Sequence, residues 1–129
     1  MRSVRSKDTA PELAVRRLAH RLGYRYRLHR SDLPGKPDIV FPRRRKIIFV
    51  HGCFWHQHPN CKEAQTPSSN TGYWNPKLAR NVERDAKNTD ALVSHGWGVL
   101  IVWECETKNK TTLQDRLLEF LGKPLSSAH

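Results

Sequence analysis

The chain has few acidic residues, few cysteines and no long apolar run. Its 129 residues include 12 Asp and Glu against 23 Lys and Arg, and 3 cysteines. No apolar stretch approaches the roughly 18 residues that cross a bilayer, and none follows the basic start, so we expect neither a membrane span nor a signal peptide. An odd cysteine count argues against a disulfide framework and favours a metal site or inert core thiols. These absences predict a cytoplasmic protein with no membrane partner.

The excess of basic residues is the first positive signal. The formal net charge is +11 at pH 7, and the pI is near 10.1. A surface this basic attracts polyanions, of which nucleic acid is the commonest in a cell. The alternative is a solvated basic surface without a partner, and charge alone does not choose between the two.

Apolar periodicity divides the first half of the chain into one helix and three strands. Thr9 and Glu12 form a capping box that predicts a helix start. Alternation over residues 24–29 predicts a half-buried strand with a basic outer face. Two further strands, over 38–41 and 47–51, are joined by a connection too short for a crossover helix and should form a hairpin.

The second half of the chain is predicted to be a loop, a helix, a strand and a helix. Residues 62–75 are rich in small polar residues and predict the loop, after which a helix begins at Asn75 or Pro76. The predicted apolar side of this helix is Leu78, Val82, Ala86 and Leu92. An unbroken apolar run within 97–105 predicts a central strand covered on both faces, and Thr112 predicts the cap of the last helix.

The resulting order, α-β-β-β-α-β-α, predicts one domain of the α/β class. Helices on both faces of a mixed sheet make an α/β/α sandwich the expected architecture. No internal repeat or boundary divides the chain, so the domain should span 1–129, with flexible ends at about 1–7 and 122–129.

Cysteine and histidine cluster directly after the strand over 47–51. Thiolate and imidazole are the usual ligands of tetrahedral zinc, and close spacing is typical of structural zinc sites. The candidate ligands are Cys53, His58, Cys61 and, from the end of a later strand, Cys105. Spacing does not decide between His56 and His58 as the histidine ligand. The alternative is a buried strand thiol accompanied by surface histidines.

Carboxylate and imidazole groups near the hairpin could bind a cation and move a proton. Asp38 begins one strand and lies across from the next, which is a common arrangement for Mg²⁺, although a turn residue after proline is the simpler explanation. Asn81 and Asp85 share one helical side, which a solvated face also explains. His51 or His56 could accept a proton from water, because imidazole titrates near neutral pH.

Three large aromatic residues, Phe54, Trp55 and Trp74, fall in predicted loops. Core packing is the usual explanation of such residues. Their polar surroundings make stacking on DNA bases, or wedging between them, an equal alternative.

Five short motifs lie in order between about Lys7 and Cys105. They are Asp8-Thr-Ala-x-Glu12, Leu33-Pro-Gly-x-Pro-Asp38, His51-Gly-Cys-Phe-Trp-His56-x-His58, Asn81-Val-Glu-Arg-Asp85 and Gly-Trp-x-Val-Leu-Ile-Val-Trp-Glu-Cys105. In this order they resemble the very-short-patch-repair endonucleases. The resemblance implies a restriction-endonuclease-like α/β/α fold and Mg²⁺-dependent nicking of double-stranded DNA. It further implies cutting of one strand 5′ to the thymine of a T:G mismatch, with mismatch-repair proteins as candidate partners of a monomer.

The resemblance also implies a role for each matching residue. Asp38 becomes the main Mg²⁺ ligand, together with the backbone carbonyl of Val50, and His56 becomes the candidate general base. Supporting positions in the active site are Glu12, His51, Asn81 and Asp85. Structural zinc ligands are Cys53, His58, Cys61 and Cys105. The aromatic wedge that opens the duplex beside the mismatch is Phe54, Trp55 and Trp74.

The chain departs from the expected patterns at several positions. Phe49 and His51 stand where the general nuclease pattern has an acidic residue and a lysine, and Val50 stands where a threonine is expected. The spacer between His58 and Cys61 is one residue longer than expected. Two other interpretations therefore stand beside the mismatch nickase: a restriction or defence nuclease of the same fold that needs no mismatch, and a zinc-stapled DNA-binding module without catalysis.

Overall fold

The computed structural model of the chain describes residues 9–53, 56, 58, 61 and 71–122, and for 71–75 it describes the backbone alone. The predicted order of helices and strands is confirmed. The elements are α1 (Ala10–Arg21), β1 (Arg27–Leu28), β2 (Ile39–Phe41), β3 (Lys46–His51), α2 (Thr71–Ser94), β4 (Gly98–Trp103) and α3 (Lys110–Leu121). Within the described ranges, the helices lack the combination of length and hydropathy that a membrane span requires.

The sheet is mixed and has the strand order β1-β2-β3-β4. β2 pairs with β3 antiparallel, with Ile39 opposite Ile48, so the predicted hairpin is confirmed. Its turn ends on Arg45, which has the left-handed φ of 56°. β3 and β4 are parallel, with His51 opposite Trp103, and α2 lies in the connection between them.

Helices cover both faces of the sheet, as the two apolar clusters show. On one face, side chains of α1 and α3, including Val15 and Leu117, pack against Ile48 of β3. On the other face, Leu92 of α2 packs in a cluster with Phe49 and neighbouring strand residues. The α/β class is therefore confirmed: a mixed four-stranded sheet with three helices.

The start of α1 agrees with its predicted cap. The Glu12 amide donates to the Thr9 hydroxyl over 3.3 Å, as an N-cap requires. The cap of α3 was wrongly predicted, because Asn109 rather than Thr112 caps it and accepts the Thr112 amide at 3.0 Å. Asn is among the strongest N-cap residues, so the helix begins at Lys110, before Thr112.

The predicted strand over 24–29 is largely wrong. Only Arg27 and Leu28 pair with β2, because β2 itself has three residues and leaves little edge to extend along. His29, predicted on a basic outer face, instead places its imidazole against the buried Glu12 carboxylate.

The apolar side predicted for α2 is wrong at two of its four positions. Leu78 and Leu92 are buried, but Ala86 is exposed and Val82 is 45% exposed. The helix also begins at Thr71, so 71–75 are helical rather than loop, whereas 62–70 lie outside the described residues. The inward side of α2 is partly polar because it faces the end of the sheet where the site lies.

β4 was predicted to be a central strand, but it is the outermost strand of the sheet that the described residues form. Its apolar run arises because both of its faces are covered: Leu100 and Val102 contact one cluster, and Val99 and Ile101 contact the other. Coverage of both faces and central position are separate properties, and the sequence pattern indicates only the first.

Candidate active site and metal centre

The candidate residues gather where β3 and β4 end, because parallel neighbours finish at the same edge of a sheet. β3 ends at His51 and is followed by Cys53, while β4 ends at Trp103 and is followed by Cys105. The pairing of His51 with Trp103 brings these two chain segments side by side. Residues separated by half the chain thus form one site.

A cluster of three thiols and one imidazole lies at this edge. Its candidate ligand atoms, from Cys53, His58, Cys61 and Cys105, all lie within 4.8 Å of one another. The His58 Nδ1 atom is 3.7 Å from the Cys53 sulfur and 3.5 Å from the Cys105 sulfur. Tetrahedral zinc at ordinary bond lengths separates such sulfur and nitrogen ligands by about 3.6 Å, so the geometry fits the ion. The structure places His58, not His56, in this cluster.

Burial disfavours the thiolate form of two of these cysteines. It raises the pKa of Cys53 to about 12, and it also raises the pKa of Cys105. Converging sulfur atoms of this kind suit a cation, because a bound ion replaces the thiol protons.

Trp103 lies between the thiol cluster and a second group of polar residues. Its ring stacks on the His58 ring at 4.3 Å between centroids and 11° between planes. The His51 ring meets Trp103 edge-on at 5.3 Å. The indole therefore contacts both a candidate zinc ligand and a candidate active-site histidine.

The second group consists of His51, His56 and Asp85. The two imidazole rings stack at 3.8 Å with 8° between planes. His56 Nδ1 lies 2.6 Å from the Asp85 carboxylate, while His51 Nδ1 is 4.0 Å from it. The buried Nδ1 atom of His51 has no hydrogen-bond partner among the described residues. Burial, reinforced by the adjacent His56, lowers the pKa of His51 to about 4, so this ring is neutral near neutral pH.

The third group consists of Asp38, Glu12 and His29. One Asp38 carboxylate oxygen accepts the Val50 amide at 2.8 Å, and the Asp38 carbonyl accepts the His29 amide at 3.0 Å. The Glu12 carboxylate is 2% exposed and lies 2.6 Å from His29 Nε2. Burial, with a smaller contribution from Glu12, raises the pKa of Asp38 to about 6. A cation beside Asp38 would favour its ionised form.

A cavity of about 120 Å³ joins the second and third groups. Five of the predicted site residues line it: Asp38, Val50, His51, His56 and Asp85. Five residues line it that the sequence analysis did not select: Gly35, Lys36, Phe49, Asn88 and Thr89. Glu12 does not line the cavity but lies behind Asp38, beside His29. Asn81 is half-buried on α2 and accepts a hydrogen bond from Arg84 at 2.6 Å, rather than lining the cavity.

Some predicted residues cannot be placed, and some site residues were missed. Phe54 and Trp55 lie outside the described residues, and so does the side chain of Trp74. The helical spacing of Asn88 from Asp85 could have placed both on one side of α2. No sequence signal marked His29 for the site, because the turn that directs it inward has a positive φ of 51°.

The chain is similar in sequence to a known family and to several known proteins. The family described as DNA mismatch endonuclease Vsr has a sequence model that matches residues 1–63. A type II nicking enzyme of Xanthomonas oryzae pv. oryzae, V.XorIIP, is 54% identical over 121 residues, which is 94% of this chain and 88% of the relative. The DNA mismatch endonuclease Vsr of Escherichia coli is 41% identical over 118 residues, which is 92% of this chain and 75% of the relative. The chain therefore belongs to the Vsr family and is a DNA endonuclease.

Proposed function

We propose that the protein nicks one strand of double-stranded DNA on the 5′ side of the thymine of a T:G mismatch, with Mg²⁺ as its catalytic cofactor and zinc as a structural ion. We further propose that its sheet and helices form a restriction-endonuclease-like fold. One observation carries the proposal: a single cavity is lined by a half-buried carboxylate, Asp38, and by a His56–Asp85 pair. A cation ligand and a general base thus face the same space.

Asp38 is suited to hold a magnesium ion together with the Val50 backbone. Hard cations prefer carboxylate and carbonyl oxygen and keep several waters. One carboxylate oxygen accepts the Val50 amide, and the other accepts no hydrogen bond within the part of the chain that the structure describes. Bound Mg²⁺ would supply positive charge to the phosphate and to the leaving 3′ oxygen.

His56 is suited to take the proton from the attacking water. In the tautomer whose Nδ1–H donates to the Asp85 carboxylate, 2.6 Å away, the Nε2 lone pair is available for the water proton. Asp85 also stabilises the positive charge that His56 then carries. The adjacent His51 adds no opposing charge, because its low pKa keeps it neutral.

Zinc at the thiol cluster would hold the stretch that carries His56. Cys53 and His58 lie on either side of His56 in the sequence, and Cys105 ties them to the end of β4. The same stretch includes Phe54 and Trp55, which we propose as the wedge, with Trp74. Inserting a wedge between base pairs costs a few kcal/mol, and a mismatch lowers that cost because it stacks and pairs less well.

Nicking of labelled duplexes tests the proposal. One duplex carries a single T:G mismatch, and its controls carry T:A and C:G at the same position, each with Mg²⁺ or with EDTA. The expected result is Mg²⁺-dependent cutting of the thymine strand of the T:G duplex alone.

A second candidate is a nicking enzyme that recognises a DNA sequence without needing a mismatch. Several relatives carry the name type II nicking enzyme, including the 54% identical protein of Xanthomonas. Equal cutting of all three duplexes would favour this candidate. The third interpretation, a DNA-binding module without catalysis, does not agree with membership of an endonuclease family.

A further inference from the structure

The roles proposed above leave one wall of the cavity unused. Lys36, Asn88 and Thr89 all line the cavity that Asp38, His56 and Asp85 share. Lys36 is exposed while lining the cavity, so it lies at the opening, and the other two are half-buried. The cavity lining thus includes one basic and two neutral polar residues of the kinds that bind anions.

The backbone that presents Lys36 is fixed from two sides. The Lys36 amide donates to the Leu33 carbonyl at 3.0 Å, and Lys36 has a left-handed φ of 48°. The preceding Gly35 packs directly on α2: a Cβ atom built there would lie 3.0 Å from Asn88 Nδ2. Because Asp38 follows two residues later, the same turn sets the positions of Lys36 and of the proposed metal ligand.

The carboxylates of the cavity repel a phosphate, so a positive charge must offset them before DNA can bind there. Two carboxylates, Asp38 and Asp85, line the cavity. Among the described residues that line it, Lys36 is the one with a permanently charged basic side chain. A lysine ammonium is a compact point charge with three donors, which suits a phosphate oxygen that moves during reaction.

We propose that Lys36 contacts a non-bridging oxygen of the DNA phosphate at the cut position. Asn88 and Thr89 line the same phosphate subsite. This inference rests on the proposed function, because it assumes that the cavity receives the scissile strand of DNA.

A binding cycle in EDTA tests the contact without cutting. The dissociation constants of wild type and Lys36→Asn are measured on the T:G duplex with either a normal phosphate or a neutral methylphosphonate at the cut position. Asparagine removes the charge but tolerates the left-handed backbone. We expect Lys36→Asn to weaken binding of the normal duplex about three- to tenfold and binding of the methylphosphonate duplex less than about twofold. Lys36→Arg should restore most of the loss.

A matched variant separates this contact from general charge. Arg43 is exposed at the opposite end of β3, and Arg43→Asn removes the same unit of charge. Arg43→Asn should weaken binding of both duplexes by the same factor, whether that factor is small or large. For Lys36→Asn, the slope of log K against log salt concentration should fall by about 0.9.

An equal loss on both duplexes for Lys36→Asn would overturn the inference. If Lys36→Asn proves unstable, Lys36→Gly, which also permits the positive φ, replaces it in the same cycle. If wild type cuts the T:G duplex but Lys36→Asn weakens binding of both duplexes equally, this inference alone is contradicted. Coupling here means a larger loss of binding on the normal duplex than on the methylphosphonate duplex. Coupling without mismatch-dependent cutting supports the phosphate contact and contradicts the proposed function.

Discussion

Basic and aromatic side chains meet at both ends of strand β3, but their hydrogen bonding differs. At the end where β3 begins, the Arg45 guanidinium lies 4.4 Å from the Trp97 ring centre and donates to the His95 carbonyl at 2.7 Å. Lys46 lies over Phe120 at 4.7 Å. At the end where β3 finishes, the buried His51 Nδ1 atom has no partner within the described ranges. The charged groups at one end have contacts, whereas at the other end a buried polar atom has no hydrogen-bond partner among the described residues.

This contrast separates stability from function. A cation on an aromatic face contributes about 0.5–1 kcal/mol and needs no ligand. A buried polar atom without a partner costs free energy, and natural proteins keep such atoms where a ligand or a reaction uses them. Changes at the His51 end should therefore affect cutting, whereas changes at the Lys46 end should affect folding.

The largest effect is expected for Asp38→Asn. The amide oxygen can still accept the Val50 amide, but it loses the charge that attracts the cation. Because metal stabilisation of the transition state is worth several kcal/mol, the nicking rate should fall by at least about a thousandfold. Single-turnover nicking measures the rate, and DNA binding in EDTA should change little. Cutting within tenfold of wild type would remove Asp38 from the proposed role.

The next effect is expected for His56→Ala. Losing a general base lowers kcat by about 10²–10⁴-fold and should leave KM for DNA nearly unchanged. His95→Ala is the matched control, because His95 is exposed just after α2 and its Nδ1 bonds to the Ala91 carbonyl. A fall in kcat for both variants would contradict a specific role for His56.

Loss of the thiol cluster should disturb the position of His51, because Trp103 contacts both. Cys105→Ser should lower zinc content, thermal stability and nicking together, because the stacked His58 and Trp103 rings support His51. Zinc content is measured by metal analysis of the purified protein. Nicking that persists in zinc-free, folded protein would show that the two clusters act independently.

The half-buried Asp38 carboxyl should lower the free energy of unfolding at pH values above its ordinary pKa. Its pKa of about 6 in the fold exceeds the ordinary 3.8, so the folded metal-free protein holds this proton more tightly than the unfolded chain. Stability from this group is full below about pH 4, falls as pH rises to about 6 and is then constant. Relative to wild type, Asp38→Asn should be equally stable well below pH 4 and about 3 kcal/mol more stable at pH 7. Urea unfolding in EDTA measures the difference, and a loss of stability at pH 7 would contradict it.

The smallest effect is expected at the other end of β3. Arg45→Ala removes the contact with Trp97 and should lower the free energy of unfolding by about 1 kcal/mol. Nicking per folded molecule should be unchanged well below the melting temperature. A loss of nicking without a loss of stability would remove the contrast between the two ends.

The sequence predicted what local patterns encode. The cap at Thr9, the hairpin and the order of elements followed from capping chemistry, short connections and apolar periodicity. The thiol cluster was found because cysteine and histidine are rare enough that their spacing carries information.

What the sequence did not show depends on long-range packing. The inward side of α2 was misassigned because periodicity locates an apolar core, and here part of that side covers a polar cavity. His29 and Lys36 were missed because left-handed backbone, at φ of 51° and 48°, directs them, and such a φ is uncommon outside glycine.

The proposed role of Asp38 is tested most directly by strand-resolved nicking of one T:G duplex. Wild type, Asp38→Asn and Arg45→Ala are compared at equal concentrations of folded protein with Mg²⁺. We expect all three proteins to bind the duplex, wild type and Arg45→Ala to cut the thymine strand at equal rates, and Asp38→Asn not to cut it. Cutting by Asp38→Asn, or loss of cutting by folded Arg45→Ala, would contradict this expectation.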